Sequence, residues 1–230
     1  GYWNPLMTQT ITPFVDANQV KVLDKPSLED ARATLAVPTY LADKGLKTFA
    51  DITKFEKALG GKIYGIEPGS GANTQIKAMI AKNQFGLGKF QLVESSEAGM
   101  LAAVDRAVRR KEAVVFFGWA PHPMNVNVAM TYLTGSDDAL GPNEGKASVW
   151  SVTTPTYAEQ CPNVYKLLSN LTFTADDESR MMQPLLDHKA PLESARQWLK
   201  DHPQDQQRWL EGVTTFDGKP AAANLNLTRK

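Results

Sequence analysis

From Lys62 to Phe117 short apolar runs alternate with longer amphipathic stretches, and this alternation limits the fold more than any other feature of the chain. Lys62-Ile63-Tyr64-Gly65-Ile66 is too short for a helix and reads as a strand. The loop Glu67-Pro68-Gly69-Ser70-Gly71 follows it, and Ala72 to Asn83 then sets Ile76, Met79 and Ile80 on one helical face. Gln91-Leu92-Val93 reads as a second strand. The helix predicted from Glu97 to Arg110 carries Met100, Leu101, Val104, Ala107 and Val108 on one stripe. Val114 to Phe117 completes the series as a third, buried strand. Strand, helix, strand, helix, strand predicts a parallel α/β sheet.

The flanks are less regular. Ala33 to Val37 reads as a strand stopped by Pro38. Thr48 to Leu59 reads as a helix, with Phe49, Ile52, Phe55 and Leu59 on one face and Gly60-Gly61 at its end. Val149 to Thr153 reads as a returning strand, and from Cys161 onward the spacing is helical. Thr174-Ala175-Asp176-Asp177 approximates a capping box with aspartate in place of the usual glutamate. Trp198 and Trp209 fall in these amphipathic helices and read as core.

Composition removes several functional classes. The 230 residues hold 25 basic and 25 acidic side chains, and no basic cluster exceeds Arg109-Arg110-Lys111, so no nucleic-acid footprint is present. No apolar run approaches the ~18 residues needed to span a bilayer. The single cysteine, Cys161, excludes an intrachain disulfide, and no His, Asp or Glu spacing resembles a metal site, so no cofactor is expected.

Two segments nearly repeat each other: Gly1-Tyr2-Trp3-Asn4-Pro5 and Phe117-Gly118-Trp119-Ala120-Pro121. A tryptophan where a strand ends before a proline sits at the rim of a sheet, and that rim is where open α/β folds bind ligands. Two such indoles would make opposite walls for a quaternary ammonium through cation–π attraction. On pattern alone, core packing of both remains the alternative. The loop Pro68 to Asn73 joins a strand to a helix, where free backbone N–H groups favour an anionic or hydroxylic guest. Its spacing fits no P-loop, no dinucleotide fingerprint and no nucleophile elbow; an ordinary turn is the plain alternative. His122 is placed to donate a hydrogen bond to a ligand oxygen, with a ligand-free loop histidine as the alternative. No Ser/His/Asp order is assignable.

Gly118-Trp119-Ala120-Pro121-His122-Pro123-Met124-Asn125, Gly65-Ile66-Glu67-Pro68-Gly69, Glu94-Ser95-Ser96-Glu97-Ala98-Gly99-Met100 and Cys161-Pro162-Asn163-Val164 resemble the periplasmic choline- and glycine betaine-binding proteins of ABC importers. The likeness runs in order through the whole chain and is nearest to the choline-binding members.

The resemblance implies a two-lobed periplasmic binding protein of parallel sheets flanked by helices, with the ligand trapped between lobes. Lobe two would span 36–150, and lobe one would draw on 1–35 and 151–230. Trp3 and Trp119 match two positions of the family's aromatic box. Ser70 lies where choline binders carry a polar contact, and Gly71 and Ala72 continue that loop with their N–H groups. Ala33 stands where choline binders have a box tyrosine, and Tyr40 is a candidate substitute. The resemblance also implies an N-terminal family segment that this sequence does not contain. It gives a monomeric receptor, periplasmic or else extracellular and membrane-associated, without catalysis, that delivers choline or glycine betaine to a membrane permease. The space at Ala33 allows a bulkier guest such as carnitine. The competing class is a hydrolase or transferase using His122 with an unassigned partner.

Overall fold

The structure, a computed structural model, describes residues 1–224. The described residues form nine strands: β1 (Tyr2–Asn4), β2 (Lys21–Val22), β3 (Leu28–Pro38), β4 (Lys62–Tyr64), β5 (Gln91–Val93), β6 (Phe116–Ala120), β7 (Met130–Tyr132), β8 (Lys146–Trp150) and β9 (Val152–Thr153). The chain divides into two compact units. One holds 1–3, 11–29 and 148–230; the other holds 4–10 and 30–147. The main divisions fall between Glu29 and Asp30 and between Ala147 and Ser148, where the sequence reading set them after residues 35 and 150. Both divisions lie inside strands, β3 and β8.

The 30–147 unit is built on strands in the order β3–β6–β4–β5, with β7 on the other side of β3. β4 pairs in parallel with both β5 and β6. The three strands of the βαβαβ series therefore run one way, as the alternation predicts. β3 pairs antiparallel with both β6 and β7, so the sheet is mixed and the expectation of a parallel sheet is corrected. No βαβ crossover leads from β3 to β6, and the direction of β3 was not coded by the alternation that fixed the others.

Local chemistry sets the helix ends. The helix Glu97–Arg110 starts at Ser96, whose Oγ accepts the Gly99 N–H at 3.1 Å. Such a cap contributes about 1 kcal/mol. Glu97 stands in its first turn and Arg109 and Arg110 in its last, each complementing the helix dipole. Its buried stripe, Met100, Val104 and Ala107, packs with Ala36, Val114, Phe116 and Met124 into one cluster. The helix Gly71–Ala81 buries Ala72, Asn73, Ile76 and Met79.

Three elements depart from the sequence reading. The segment after Thr48 is a 3₁₀ helix, Phe49–Phe55, followed by one α turn, Glu56–Leu59. Phe49 and Ile52, three residues apart, are both fully buried, and that interval suits three residues per turn. The third strand of the series begins at Phe116, not Val114, so Trp119 lies inside β6 rather than past its end. The returning segment is two strands, β8 and β9, broken at Ser151.

The other unit is mainly helical. β2 and β9 form an antiparallel pair, Lys21 opposite Thr153 and Val22 opposite Val152. The capping box expected at Thr174 is formed: Asp177 N–H donates to Thr174 Oγ1, and Asp177 Oδ2 accepts from the Thr174 N–H and hydroxyl. Trp209 is core as expected, 5.0 Å from Phe173, with its indole N–H donating to Thr172 O. Trp198 is only half-buried and stacks on His202 at 3.7 Å.

Candidate ligand site

Because β4, β5 and β6 are parallel, their C-terminal ends share one edge of the sheet, and the loops leaving that edge hold most of the residues singled out in the sequence. β4 leads into the Ser70 loop, β5 into Glu94-Ser95-Ser96, and β6 ends with Trp119 and Ala120 before His122. Such an edge is where open α/β sheets place ligands.

Trp119 is half-buried. Its ring stacks on Phe117 at 5.8 Å and lies 4.8 Å from the His122 ring, tilted by 54°. The turn after it is tied by Asn125, whose Nδ2 donates to the carbonyls of Trp119 and His122, each at 2.8 Å. The Tyr132 hydroxyl donates to Asn125 Oδ1 at 2.6 Å. Burial pushes that phenol up to about 12, so it stays a donor at any ordinary pH.

Ser70 caps the helix Gly71–Ala81: its Oγ accepts the Asn73 N–H at 3.2 Å. The lone pair is engaged in the cap, and the hydroxyl proton stays available to an acceptor. The N–H groups of Gly71 and Ala72 open the helix, where the first turn has no intrahelical acceptor. The same helix start touches the segment after Trp3: a Cβ on Gly71 would meet Leu6 O at 3.2 Å and Met7 Cγ at 3.3 Å.

Asn73 is the residue the sequence reading missed. It is 1% exposed. Its Oδ1 accepts the Ile66 N–H at 3.0 Å; its Nδ2 donates to Ile66 O at 2.8 Å, Glu67 O at 3.1 Å and Glu94 Oε1 at 3.1 Å. One amide thus closes the loop after β4 and reaches the loop after β5. Ile66 was expected to continue the strand; its O still accepts the Ser95 N–H at 3.1 Å, but its N–H turns to Asn73 Oδ1. Gly65 is required here, because any Cβ would overlap Asn73 Oδ1 and stand 2.8 Å from Leu92 Cδ1. An asparagine three residues after Ser70, in the first turn of the expected helix, was the available signal. Lys77 pairs with Glu94 at 2.8 Å and holds that carboxyl below its usual range.

His122 does not have the role the sequence reading gave it. It is 1% exposed, its Nδ1 accepts the Met124 N–H at 3.0 Å, and its Nε2 lies 3.1 Å from Glu97 Oε1. Accepting at Nδ1 puts the proton of the neutral ring on Nε2, which donates to Glu97. Neither nitrogen is left for a ligand, or for a hydrolase's nucleophile. Burial lowers the basicity of the ring, and Glu97 partly opposes that.

Tyr40 is also corrected. β3 runs opposite to β6, so Tyr40, two residues beyond the end of β3, lies at the other edge of the sheet from Trp119. Its hydroxyl donates to Glu112 O at 2.6 Å, near the C-terminal end of the helix Glu97–Arg110. It cannot stand in for a wall beside Ala33.

Residues 1–201 match the OpuAC family, the substrate binding domain of ABC-type glycine betaine transport systems. The chain belongs to the OpuAC family. Over 156 residues it is 29% identical to the glycine betaine/carnitine transport binding protein GbuC of Listeria monocytogenes, covering 68% of this chain and 51% of that protein. The chain spans about half the length of the curated relatives it matches. Among solved structures, an ABC-transporter choline binding protein in complex with choline is 44% identical, with a TM-score of 0.92 over 97% of this chain and 77% of that one. Lactococcal OpuAC in its closed-liganded conformation with glycine betaine is 25% identical, with a TM-score of 0.80 over 90% of this chain and 77% of that one. The OpuAC fold is thus the one the motifs implied, with the mixed sheet as its correction. A substrate-binding domain also leaves no place for the hydrolase reading of His122.

Proposed function

We propose that this OpuAC domain captures a quaternary ammonium compound, choline or glycine betaine, for an ABC importer. The observation that carries the reading is the pairing, at one sheet edge, of a half-buried tryptophan with a capped helix start that offers only donors. Trp119 and Trp3 contact the trimethylammonium group, each contact contributing roughly 0.5–2 kcal/mol. The Ser70 hydroxyl and the N–H groups of Gly71 and Ala72 receive the polar end. The choline complex of the 44% identical relative supports the ligand class. The two units correspond in this reading to the two lobes of the receptor, which works as a periplasmic monomer and docks, liganded, on a membrane permease. Among the described residues no helix is long and apolar enough to cross a membrane.

Ala33 favours a second reading. It is the cross-strand partner of Trp119, and in this reading an alanine where choline binders have a box tyrosine admits a longer guest such as carnitine. Calorimetric titration with choline, glycine betaine and carnitine tests both readings. Saturable binding of choline or glycine betaine is expected; tighter binding of carnitine would favour the second reading, and no binding of any would refute both.

A further inference from the structure

β4 and β6 pair through a single registered couple, Tyr64 opposite Phe116. Beyond it, toward the edge that carries Ser70 and Trp119, the described residues of the two strands form no further registered pair. Hydrogen bonds outside the ladder, most of them to side chains, bridge that gap instead. Ser70 N–H donates to Glu67 O at 3.1 Å, and Glu67 Oε1 accepts the Glu97 N–H at 2.8 Å. Glu97 Oε1 accepts from His122 Nε2 at 3.1 Å, and the His122 ring stands against Trp119. Every link lies within the 30–147 unit.

We infer that His122 and Glu97 are positioning residues, whose hydrogen bond sets the distance between the Trp119 ring and the Ser70 loop. The inference rests on the ligand site proposed above and gives that site a fixed length. Three features favour positioning over simple core filling. The histidine is buried with both nitrogens engaged, so its ring cannot turn without losing a bond at one of them. Its acceptor is a carboxylate, which makes the bond stronger than a neutral one. The Glu97 side chain is 46% exposed and fills no core space, so the hydrogen bond is what fixes its place.

Glu97→Ala removes the bond and leaves the Glu97 N–H to Glu67 intact; Glu97→Gln keeps an oxygen that can accept from Nε2. The ligand is choline or glycine betaine, titrated calorimetrically. The second readout is the Trp119 indole N–H resonance of the ligand-free protein, assigned by its loss in Trp119→Phe. In Glu97→Ala we expect affinity to fall about tenfold, the Trp119 resonance to move, and the thermal midpoint to drop by a few degrees while unfolding stays cooperative. Glu97→Gln should restore both affinity and resonance. An unmoved Trp119 resonance in Glu97→Ala, or a glutamine variant no better than alanine, overturns the inference. A wild-type protein that binds neither compound, with the resonance moved in Glu97→Ala and restored in Glu97→Gln, overturns the ligand reading and leaves the positioning role standing.

Discussion

Ala33 and Trp119 are direct partners across the antiparallel register of β3 and β6, so their side chains leave the same face of the sheet. Ala33 is 1% exposed. A larger side chain at 33 must therefore press on whatever Trp119 contacts. Ala33→Tyr is expected to cost about 1–3 kcal/mol in stability through overpacking. It should also shift the preference among choline, glycine betaine and carnitine toward the smaller ligands. Urea unfolding and calorimetric titration read the two effects separately, and an unchanged order of preference would remove Ala33 from the site.

Trp119→Phe and Trp3→Phe keep an aromatic face but weaken its attraction for a cation. Each is expected to reduce affinity roughly 2- to 10-fold. Trp119 also packs against the Met100–Phe116 cluster, so its variant should lose some thermal stability as well. A Trp119→Phe protein that binds as tightly as wild type would make Trp119 a core residue only.

Asn73→Ala removes the acceptor of Ile66 N–H and one donor each from Ile66 O and Glu67 O, which keep the Ser95 and Ser70 N–H groups. The expected loss is about 1–3 kcal/mol, read from the urea midpoint. Asn73→Asp should be no better, since a carboxylate would face two carbonyl oxygens and Glu94. Equal stability of both variants to wild type would show that the loop holds itself.

His122 has a folded pKa below its usual 6.5, chiefly because it is buried. In the interval between the lowered value and 6.5 the unfolded chain binds the proton and the folded one does not. Stability therefore rises with pH through that interval. The contribution is complete above 6.5 and is lost as pH falls through the folded value. His122→Asn keeps an oxygen near the Nδ1 position and cannot titrate, so its stability profile should be flatter over the same range. Urea midpoints measured from pH 7.5 down to pH 5 compare the two proteins, and parallel profiles would mean that His122 carries no pH dependence. The Glu94 carboxyl, held low by Lys77, loses its proton-free state only in more acidic solution and does not confuse the comparison.

The local elements were legible because each rests on short-range chemistry. Ser96 and the apolar stripe define the helix Glu97–Arg110, Thr174 and Asp177 box the start of the helix Ala175–Leu186, and the βαβαβ alternation makes β4, β5 and β6 parallel. That last fact alone brings Ser70 and Trp119 to one edge. The sequence also carried the family, through motifs such as Gly118 to Asn125. What the chain order does not encode is which way β3 runs against β6 and what a polar side chain meets once buried. The antiparallel register sent Tyr40 to the far edge and set Ala33 beside Trp119. Burial turned His122 from a candidate donor into an internal link to Glu97 and Met124, and made Asn73 the closure of the Ser70 loop. Apart from the local bond between His122 and Met124, those outcomes depend on hydrogen bonds between residues 6 to 25 positions apart and on the pairing of Ala33 with Trp119, more than 80 positions apart. Only tertiary packing brings such groups into reach, because a polar atom sealed from water must take the partner that the fold places beside it.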